Sequence, residues 1–332
     1  MKRVFRLSET AMTESERFLA AKGIDPREPS GRRRLANSIK RLSDFFIENP
    51  SGATPWDEDW VQEAYFSYYL PLNEIRTRSV VEEGLKVGFF KGLSEVIDFG
   101  AGPGTADFSL QDKVTALQSF RLVERSSVPA RLLSHKPWKY QTTLSSADIK
   151  NPQETLFVAS YSLTEAAIPA PAFQAEALMI LEPSTQQDGR ALLGLRQQLI
   201  DKGFHLWAPC LHQQACPLST HSARDWCHDR VHVDRPDWWI KLEELLPFRN
   251  QTITFSYLLA RKTPPPTFPK NQARLVGDSL PEKGKTRQML CRGPEREFAA
   301  WMLRKGEPPE WPRGIVIEIP DSAQKVSNEI RF

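Results

Sequence analysis

Apolar residues recur at three- and four-residue spacing through the first quarter of the chain. The recurrence is clearest in two series: Leu35, Ile39, Leu42 and Phe46, and then Val80, Leu85 and Phe89. This is the period of a helix with one buried face. We therefore predict a helical N-terminal domain over residues 1–92, interrupted where Pro50, Pro55 and Pro71 break the pattern.

From Ser94 onward, short apolar runs alternate with helix-like segments, which is typical of an α/β protein with a parallel sheet. Seven strands are predicted: Glu95–Phe99, Phe120–Glu124, Tyr140–Leu144, Leu156–Ser160, Ala177–Leu181, Phe204–Ala208 and Thr252–Ala260. The clearest helix between them is Gly189–Lys202, with Leu192, Leu195 and Leu199 on its buried face. These elements define a domain over residues 93–262 with an insertion at 209–251.

Three consecutive prolines, Pro264 to Pro266, end this domain, because proline cannot continue a strand ladder. A basic C-terminal extension over residues 263–332 follows. We predict it to be irregular apart from one strand-like run, Gly314–Ile319.

Composition is that of an ordinary globular protein, with 40% hydrophobic and 26% charged residues in a chain of 332. No apolar run approaches the roughly 20 residues that span a bilayer. The basic start, Met1 to Arg6, is followed by acidic residues rather than an apolar segment, so we expect no secretion signal and no membrane partner. The expected compartment is the cytoplasm, or the mitochondrial matrix if the source is eukaryotic.

The net charge is only +3, from 44 basic and 41 acidic residues, but the charge is unevenly distributed. Six basic residues and one acid lie between Arg27 and Arg41, and eight basic residues and two acids lie between Arg261 and Arg292. Such an excess attracts phosphate backbones, and it is equally consistent with an ordinary solvated surface.

A strand that ends in an acid and is followed by alternating glycines is the strongest chemical signal. The segment is Asp98-Phe99-Gly100-Ala101-Gly102-Pro103-Gly104. Its G-x-G-x-G spacing differs from the G-x-G-x-x-G of a loop that binds pyrophosphate. A carboxylate beside a close backbone approach suits a cationic ligand without phosphate, so we predict S-adenosylmethionine, bound by Asp98, Gly100, Gly102 and Gly104.

Two further acids are candidates for the same site. Glu124 ends the second strand about 20 residues after the loop, where an acid holds ribose hydroxyls. Asp148 follows the third strand, where an acid near the adenine would lie. The catalytic residues stay unknown. The fourth strand ends in Tyr161-Ser162-Leu163 instead of the Asn/Asp-Pro-Pro-aromatic motif of base amino methyltransferases, and it has no cysteine for a cytosine C5 mechanism.

The four cysteines, Cys210, Cys216, Cys227 and Cys291, point to a metal. Three of them lie in the 209–251 insertion, which also carries histidines and tryptophans. Thiols this concentrated in an intracellular chain bind metal more often than they pair. The chain has no close pair of the C-x2-4-C type that is usual for structural zinc, whereas an iron–sulfur cluster accepts widely spaced thiolates. Zinc with mixed Cys/His ligands and unligated buried cysteines remain alternatives.

Taken together in order, these motifs resemble one known family. They are Asp98–Ala106, Leu181-Glu182-Pro183, Ala208-Pro209-Cys210, Cys216-Pro217-Leu218, Trp226-Cys227-His228 and Phe255-Ser256-Tyr257. From about Tyr69 to Cys291 the chain resembles the methyltransferase-like proteins associated with the small ribosomal subunit, which are mitochondrial small-subunit assembly factors with bacterial relatives. It departs from them at Leu211, where proline is common, and at Asp229, where an aromatic residue is usual.

The resemblance implies a class I, Rossmann-like methyltransferase fold that binds S-adenosylmethionine, a [4Fe–4S] cluster on Cys210, Cys216, Cys227 and Cys291, and contact with small-subunit rRNA. The expected function is small-subunit assembly through rRNA binding, with no DNA partner. An active rRNA methyltransferase is the first alternative. A small-molecule methyltransferase with a structural zinc site is the second.

Overall fold

The computed structural model describes residues 2–332, and its N-terminal region is helical as predicted. The helices are α1 (Glu9–Ala21), α2 (Pro29–Glu48), α3 (Asp59–Ala64) and α4 (Leu70–Lys86), with a π-helical turn at Tyr65–Tyr69 joining the last two. Pro71 follows this π-helical turn as the second residue of α4, and the helix continues through it instead of breaking there as expected. Within residues 2–332, no helix combines the length and the apolar surface that crossing a bilayer requires.

The central sheet has nine strands, not the seven that the sequence predicts. Each predicted segment contains a strand, and two more join them: β1 (Val4–Arg6) and β8 (Asp229–Asp234). The other strands are β2 (Glu95–Phe99), β3 (Ser119–Val123), β4 (Lys139–Gln141), β5 (Thr155–Ser160), β6 (Ala177–Glu182), β7 (His205–Ala208) and β9 (Thr252–Arg261). The short β1 was missed because its pairing with β8 joins segments more than 200 residues apart.

The sheet order is β1-β8-β9-β6-β5-β2-β3-β4, and β7 also pairs with β9. Strands β2 to β6 are mutually parallel, whereas β9 runs antiparallel to β6, β7 and β8. The 209–251 insertion therefore contributes β8 to the sheet instead of standing apart from it. Two short helices complete it: α8 (Pro217–Thr220) and α9 (Asp237–Glu243).

Both faces of the sheet are buried, which explains the continuous apolar runs of its strands. Along β5, Leu156 and Val158 face the core shared with the N-terminal helices, while Phe157 and Ala159 face a second core. The remaining helices of this unit are α5 (Thr105–Lys113), α6 (Val128–Leu132) and α7 (Gln186–Asp201). The second core takes Leu192 and Leu199 from α7, as predicted. The N-terminal helices and the sheet thus share one core.

The chain after the proline run is not irregular, in contrast to the expectation. It folds into a second, seven-stranded sheet of mostly antiparallel strands. Its strands are β10 (Gln272–Leu275), β11 (Leu280–Glu282), β12 (Lys285–Cys291), β13 (Glu297–Met302), β14 (Val316–Glu318), β15 (Gln324–Val326) and β16 (Glu329–Arg331). Ala273, Leu290, Ala299, Ile317 and Ile330 form part of its separate core.

Buried ion pairs join the two sheets to the N-terminal region. Arg3, which precedes β1, binds Asp229 of β8 at 2.7 Å. Arg274 of β10 binds Glu83 of α4 at 3.1 Å, and its guanidinium also donates to the backbone oxygen of Gly314. Charges buried in this way must be compensated, so each pair fixes the position of its partner.

Candidate functional site

The glycine loop connects β2 to α5 in the conformation that its sequence predicts. Gly100, Gly102 and Gly104 have φ values of 68°, 50° and 67°, in the left-handed region that side chains disfavour. A Cβ at Gly104 would lie 2.5 Å from the ring of Trp138, and one at Gly100 would lie 2.4 Å from Cβ of Ser162. The turn thus requires glycine for its conformation and for its close packing.

Asp98 lies at the carboxyl end of β2, under this loop, and is 1% exposed. Its neighbour Asp107, in the first turn of α5, is fully buried. Among the described residues, Oδ1 of Asp98 and both carboxylate oxygens of Asp107 have no hydrogen-bond partner. Burial raises the pKa of Asp98, and the charge of Asp107 raises it further. Burial also raises the pKa of Asp107, to about 7. Two neighbouring buried carboxyl groups do not both ionise readily, so a cationic group beside them would stabilise their ionised forms.

Glu124 and Asp148 occupy different environments. The carboxylate of Glu124 accepts a hydrogen bond from the backbone N–H of Gly102 at 3.0 Å, which places it at the loop. Asp148 instead accepts hydrogen bonds from Ser145 and pairs with Arg121 at 3.4 Å. The structure therefore brings Glu124 to the glycine loop and gives Asp148 a role in capping its own turn.

Aromatic side chains that the sequence analysis did not single out enclose the loop. A Cβ at Gly102 would lie 3.1 Å from the ring of Trp56, a residue between α2 and α3 that is 5% exposed. The Tyr65 hydroxyl lies 3.2 Å from Oγ1 of Thr105, and the Tyr140 hydroxyl donates to the carbonyl of Gly102 at 3.3 Å. Trp56 is distant in sequence and has no motif, so only the fold reveals its place.

The ends of β5 and β6 form the neighbouring wall. Tyr161, directly after β5, has a φ of 59°, which is strained for a residue with a side chain. Its buried hydroxyl has no hydrogen-bond partner among the described residues. Glu182 ends β6 and accepts a hydrogen bond from the N–H of Leu163 at 3.1 Å. Burial raises the pKa of Glu182 to about 8, so this carboxyl is largely protonated at neutral pH.

The four cysteines line one cavity, although they come from four separate elements. Cys210 follows β7, Cys216 precedes α8, Cys227 lies just before β8, and Cys291 ends β12 of the second sheet. They form no disulfide, and within residues 2–332 no three or more His, Cys, Asp or Glu side chains are arranged closely enough to hold a metal ion. The second sheet thus contributes one of the four thiols.

Trp226 fixes the loop that carries Cys227. Its indole N–H donates to the backbone oxygen of Ser184 at 2.8 Å. A Cβ at Gly189 of α7 would lie 2.3 Å from its ring, so the glycine makes room for the indole. The Cys227 thiol is consequently held against α7, in surroundings that are largely apolar.

The electrostatics of this cavity favour neutral thiols in the absence of a cation. Burial raises the pKa of Cys210, Cys227 and Cys291, and the neighbouring cysteines contribute in the same direction. A buried cation, Arg196 of α7, opposes this for Cys210 and Cys291. Four sulfurs around one cavity would repel each other as thiolates, so the thiols ionise together only where a positive charge compensates them.

The two basic segments differ in the structure. In the segment Arg261–Arg292, most cations are already paired: Arg261 with Glu176, Arg274 with Glu83, Lys285 with Glu329, Arg287 with Glu282 and Arg292 with Glu297. In α2, Arg34 is paired with Glu63. Among the described residues, the exposed Arg33 and Lys40 of α2 form no ion pair, and Arg41 stacks 4.0 Å above the ring of Trp60. Among the described residues, exposed cations without an ion pair therefore occur in both segments: Arg33 and Lys40 on α2, and Lys262, Lys270 and Lys283 in the segment 261–292.

Solved structures with a detectable likeness include methyltransferases. A plantazolicin methyltransferase, BpumL, solved with a triazolic desmethyl-plantazolicin analogue and S-adenosylhomocysteine, is 8% identical over 71% of this chain and 100% of that one, with a TM-score of 0.34. A Pyrococcus horikoshii protein proposed to be an RNA methyltransferase is 13% identical over 56% and 83%, with a TM-score of 0.33. An Archaeoglobus fulgidus S-adenosylmethionine-dependent methyltransferase is 16% identical over 59% and 100%, with a TM-score of 0.30. Scores this low carry no argument about function.

No curated protein sequence matches the chain significantly. A family model does: the one described as "Mitochondrial small ribosomal subunit Rsm22" matches residues 86–306. The match includes the glycine loop and all four cysteines, and it confirms the resemblance seen in the motifs. It spans more than half of the chain, and so the chain belongs to the Rsm22 family of the mitochondrial small ribosomal subunit.

Proposed function

We propose that this protein is an assembly factor of the small ribosomal subunit that binds S-adenosylmethionine and an iron–sulfur cluster and contacts rRNA. The observation that carries the proposal is the family match, which covers both the glycine loop and the cysteine cavity. The compartment would be the mitochondrial matrix in a eukaryotic cell, or the cytoplasm in a bacterium.

S-adenosylmethionine is the ligand that best fits the glycine loop. The unpartnered, buried Oδ1 of Asp98 offers an acceptor for a cationic ligand, and the glycines permit close approach of its body. Glu124 would hold the ribose hydroxyls, and Trp56 would exclude water from one side. When bound, S-adenosylmethionine would supply a transferable methyl group, which is carried on its sulfonium. The sheet order, with antiparallel β9 between β6 and β7, supports a class I methyltransferase fold.

A [4Fe–4S] cluster is the group that best fits the cysteine cavity. Four thiols around one cavity match the one-thiolate-per-iron requirement of a cubane cluster. His212 also reaches this cavity, with Nε2 lying 3.4 Å from Sγ of Cys291, so a zinc ion with mixed ligands is the competing occupant. The cluster would supply charge neutralisation and a covalent link between the two sheets.

Contact with rRNA is assigned to α2. Lys40 and the stacked pair of Arg41 and Trp60 line one exposed depression, which Asp44 and Glu48 also line. The unpaired Arg33 lies two turns before Lys40 on the same helix. Arginine and lysine attract phosphates, while tryptophan offers a surface on which bases can stack.

The test separates the pocket from the partner. Asp98→Ala should abolish S-adenosylmethionine binding in calorimetry, whereas Asp148→Ala, which removes a carboxylate held by Ser145 and Arg121, should retain it. Co-sedimentation with purified small subunits then tests the ribosomal role independently. Equal affinity in wild type and Asp98→Ala would refute the pocket, and failure of the wild type to co-sediment would refute the partner.

One observation favours the alternative of an active rRNA methyltransferase. Tyr161 combines a strained backbone with an unpartnered buried hydroxyl at the end of β5, and such strain clusters at active sites. If the alternative holds, wild type transfers labelled methyl groups to small-subunit rRNA, and Tyr161→Phe lowers the rate while S-adenosylmethionine affinity is unchanged.

A further inference from the structure

Arg196 is a buried arginine at the edge of the cysteine cavity. It lies on the face of α7 that is directed toward the cavity, and it is 1% exposed. Its Nε donates to Sγ of Cys210 at 3.3 Å. One terminal nitrogen donates to the backbone oxygens of Gln214, at 2.7 Å, and His212, at 3.4 Å. The side chain thus ties the loop after β7 to the helix and directs one N–H at a sulfur.

No carboxylate pairs with Arg196 among the described residues. Its hydrogen bonds within the described chain go to one thiol and two backbone carbonyls, and none goes to a carboxylate. A buried guanidinium is costly without a compensating negative charge. Anionic sulfur ligands would provide that charge.

We propose that Arg196 is a positioning residue that raises the reduction potential of the centre held by the four cysteines. The inference rests on the proposed iron–sulfur function of the cavity. Reduction adds one negative charge to a cluster, and a fixed cation in a poorly solvated site stabilises that charge. A hydrogen bond to a ligating sulfur acts in the same direction, because it withdraws electron density from the ligand.

Two substitutions separate the charge from the hydrogen bond. Arg196→Gln removes the charge. Arg196→Lys keeps the charge, but its single amine does not reproduce the fork that reaches both Sγ of Cys210 and the carbonyls. The matched control is Arg190→Gln on the same helix. Arg190 holds the same insertion through hydrogen bonds to the backbone oxygens of Ser222 and Asp225, neither of which is a cysteine.

The full-length proteins are purified without oxygen and analysed for iron and sulfide, and their midpoint potentials are measured by dithionite titration with redox dyes. We expect full iron content, a midpoint shifted to more negative values in Arg196→Lys and further in Arg196→Gln, and no shift in Arg190→Gln. If Arg196→Gln loses iron, the midpoint potential of Arg196→Lys alone decides whether Arg196 affects the centre.

The outcomes distinguish the two proposals. Wild-type protein that contains zinc or no iron would overturn the iron–sulfur function and the role of Arg196 with it. Wild-type protein with a full cluster, combined with iron-loaded Arg196 variants at the wild-type midpoint, would overturn only the role of Arg196. An equal shift in Arg190→Gln would also overturn it, because the effect would then come from loop structure.

Discussion

Arg274 of the second sheet and Glu83 of helix α4 form an ion pair at 3.1 Å in which both side chains are buried. The two residues are 191 positions apart in the sequence, and the pair crosses from one folding unit to the other. Burial alone raises the pKa of Glu83, but its cationic neighbours, Arg274 foremost, lower it overall. The carboxylate is therefore stabilised in the folded protein, and the second sheet is held to the helical region through it.

Replacing Arg274 with methionine should destabilise the protein by about 3 kcal/mol, because it leaves a buried carboxylate short of its main partner. Urea unfolding followed by tryptophan fluorescence measures this. The destabilisation should be complete at neutral pH. It should shrink as the pH falls and Glu83 becomes protonated, because a carboxyl group with a lowered pKa stabilises the folded state fully only above its pKa in the unfolded chain. The control is Lys86→Met: Lys86 binds the same carboxylate at 2.7 Å but is 66% exposed, so it should cost under about 1 kcal/mol. Equal destabilisation by the two substitutions would contradict the prediction.

Affinity for S-adenosylmethionine should increase with pH through neutrality. At lower pH, Asp98 and Asp107 retain a proton, because burial raises the pKa of both. A cationic ligand group requires the ionised form. Asp107→Asn removes the competing charge, lowers the pKa of Asp98, and should flatten the profile, with a gain of up to about tenfold per pK unit below pH 7. Calorimetry between pH 6 and 8 measures the affinity of both proteins. In the variant, the charge of Glu124 still raises the pKa of Asp98. Parallel profiles for the two proteins would count against the carboxyl pair.

RNA binding should depend on α2 and not on the second sheet. Arg33→Ala combined with Lys40→Ala should reduce the slope of log K against log salt by about 0.9 for each duplex phosphate that the protein no longer neutralises. Fluorescence anisotropy with a labelled RNA duplex gives the slope. Arg287→Ala combined with Arg292→Ala is the control, since both cations are paired with glutamates. A larger change in the control would move the interface to the second sheet.

Cys291→Ser should prevent the metal centre from forming and loosen the second sheet. The other three thiols belong to the first folding unit, so the variant removes the cysteine-mediated link between the two and leaves the ion pair of Arg274 with Glu83. By analogy with loop closure, this link is worth about 3 kcal/mol. Iron analysis, visible absorbance and urea unfolding report the two effects. A variant with wild-type iron content would show that Cys291 is no ligand.

The glycine loop was predictable because its chemistry is local. Positive φ at Gly100 and Gly104 follows from a short turn between a strand and a helix, and the acid before it sits on the same strand. The buried strands were predictable for a similar reason, since burial on both faces leaves continuous apolar runs. Asp107 was missed although it lies in the first turn of the helix that follows the loop, because a single acid near a helix start is usually a solvated cap.

The second sheet was not predictable from local patterns. Several of its strands have only three residues, too few to show alternation, and β13 pairs with β16 across a long connection. The position of Asp148 after the third strand predicts a place near the adenine, and the contacts of its carboxylate with Arg121 and Ser145 could not be found from the sequence. Trp56 could not be found from sequence because its place depends on how α2 and α3 pack on the loop.

The position of Cys291 on β12 also sets an order of events during synthesis. Cys210, Cys216 and Cys227 are translated well before β12, and β12 pairs with β10, β11 and β13, all of which follow the proline run. The cavity is therefore completed late, after most of the chain has been translated. A chain truncated at the proline run would contain three of the four cysteines and would lack the wall of the cavity that Val276 and Cys291 provide.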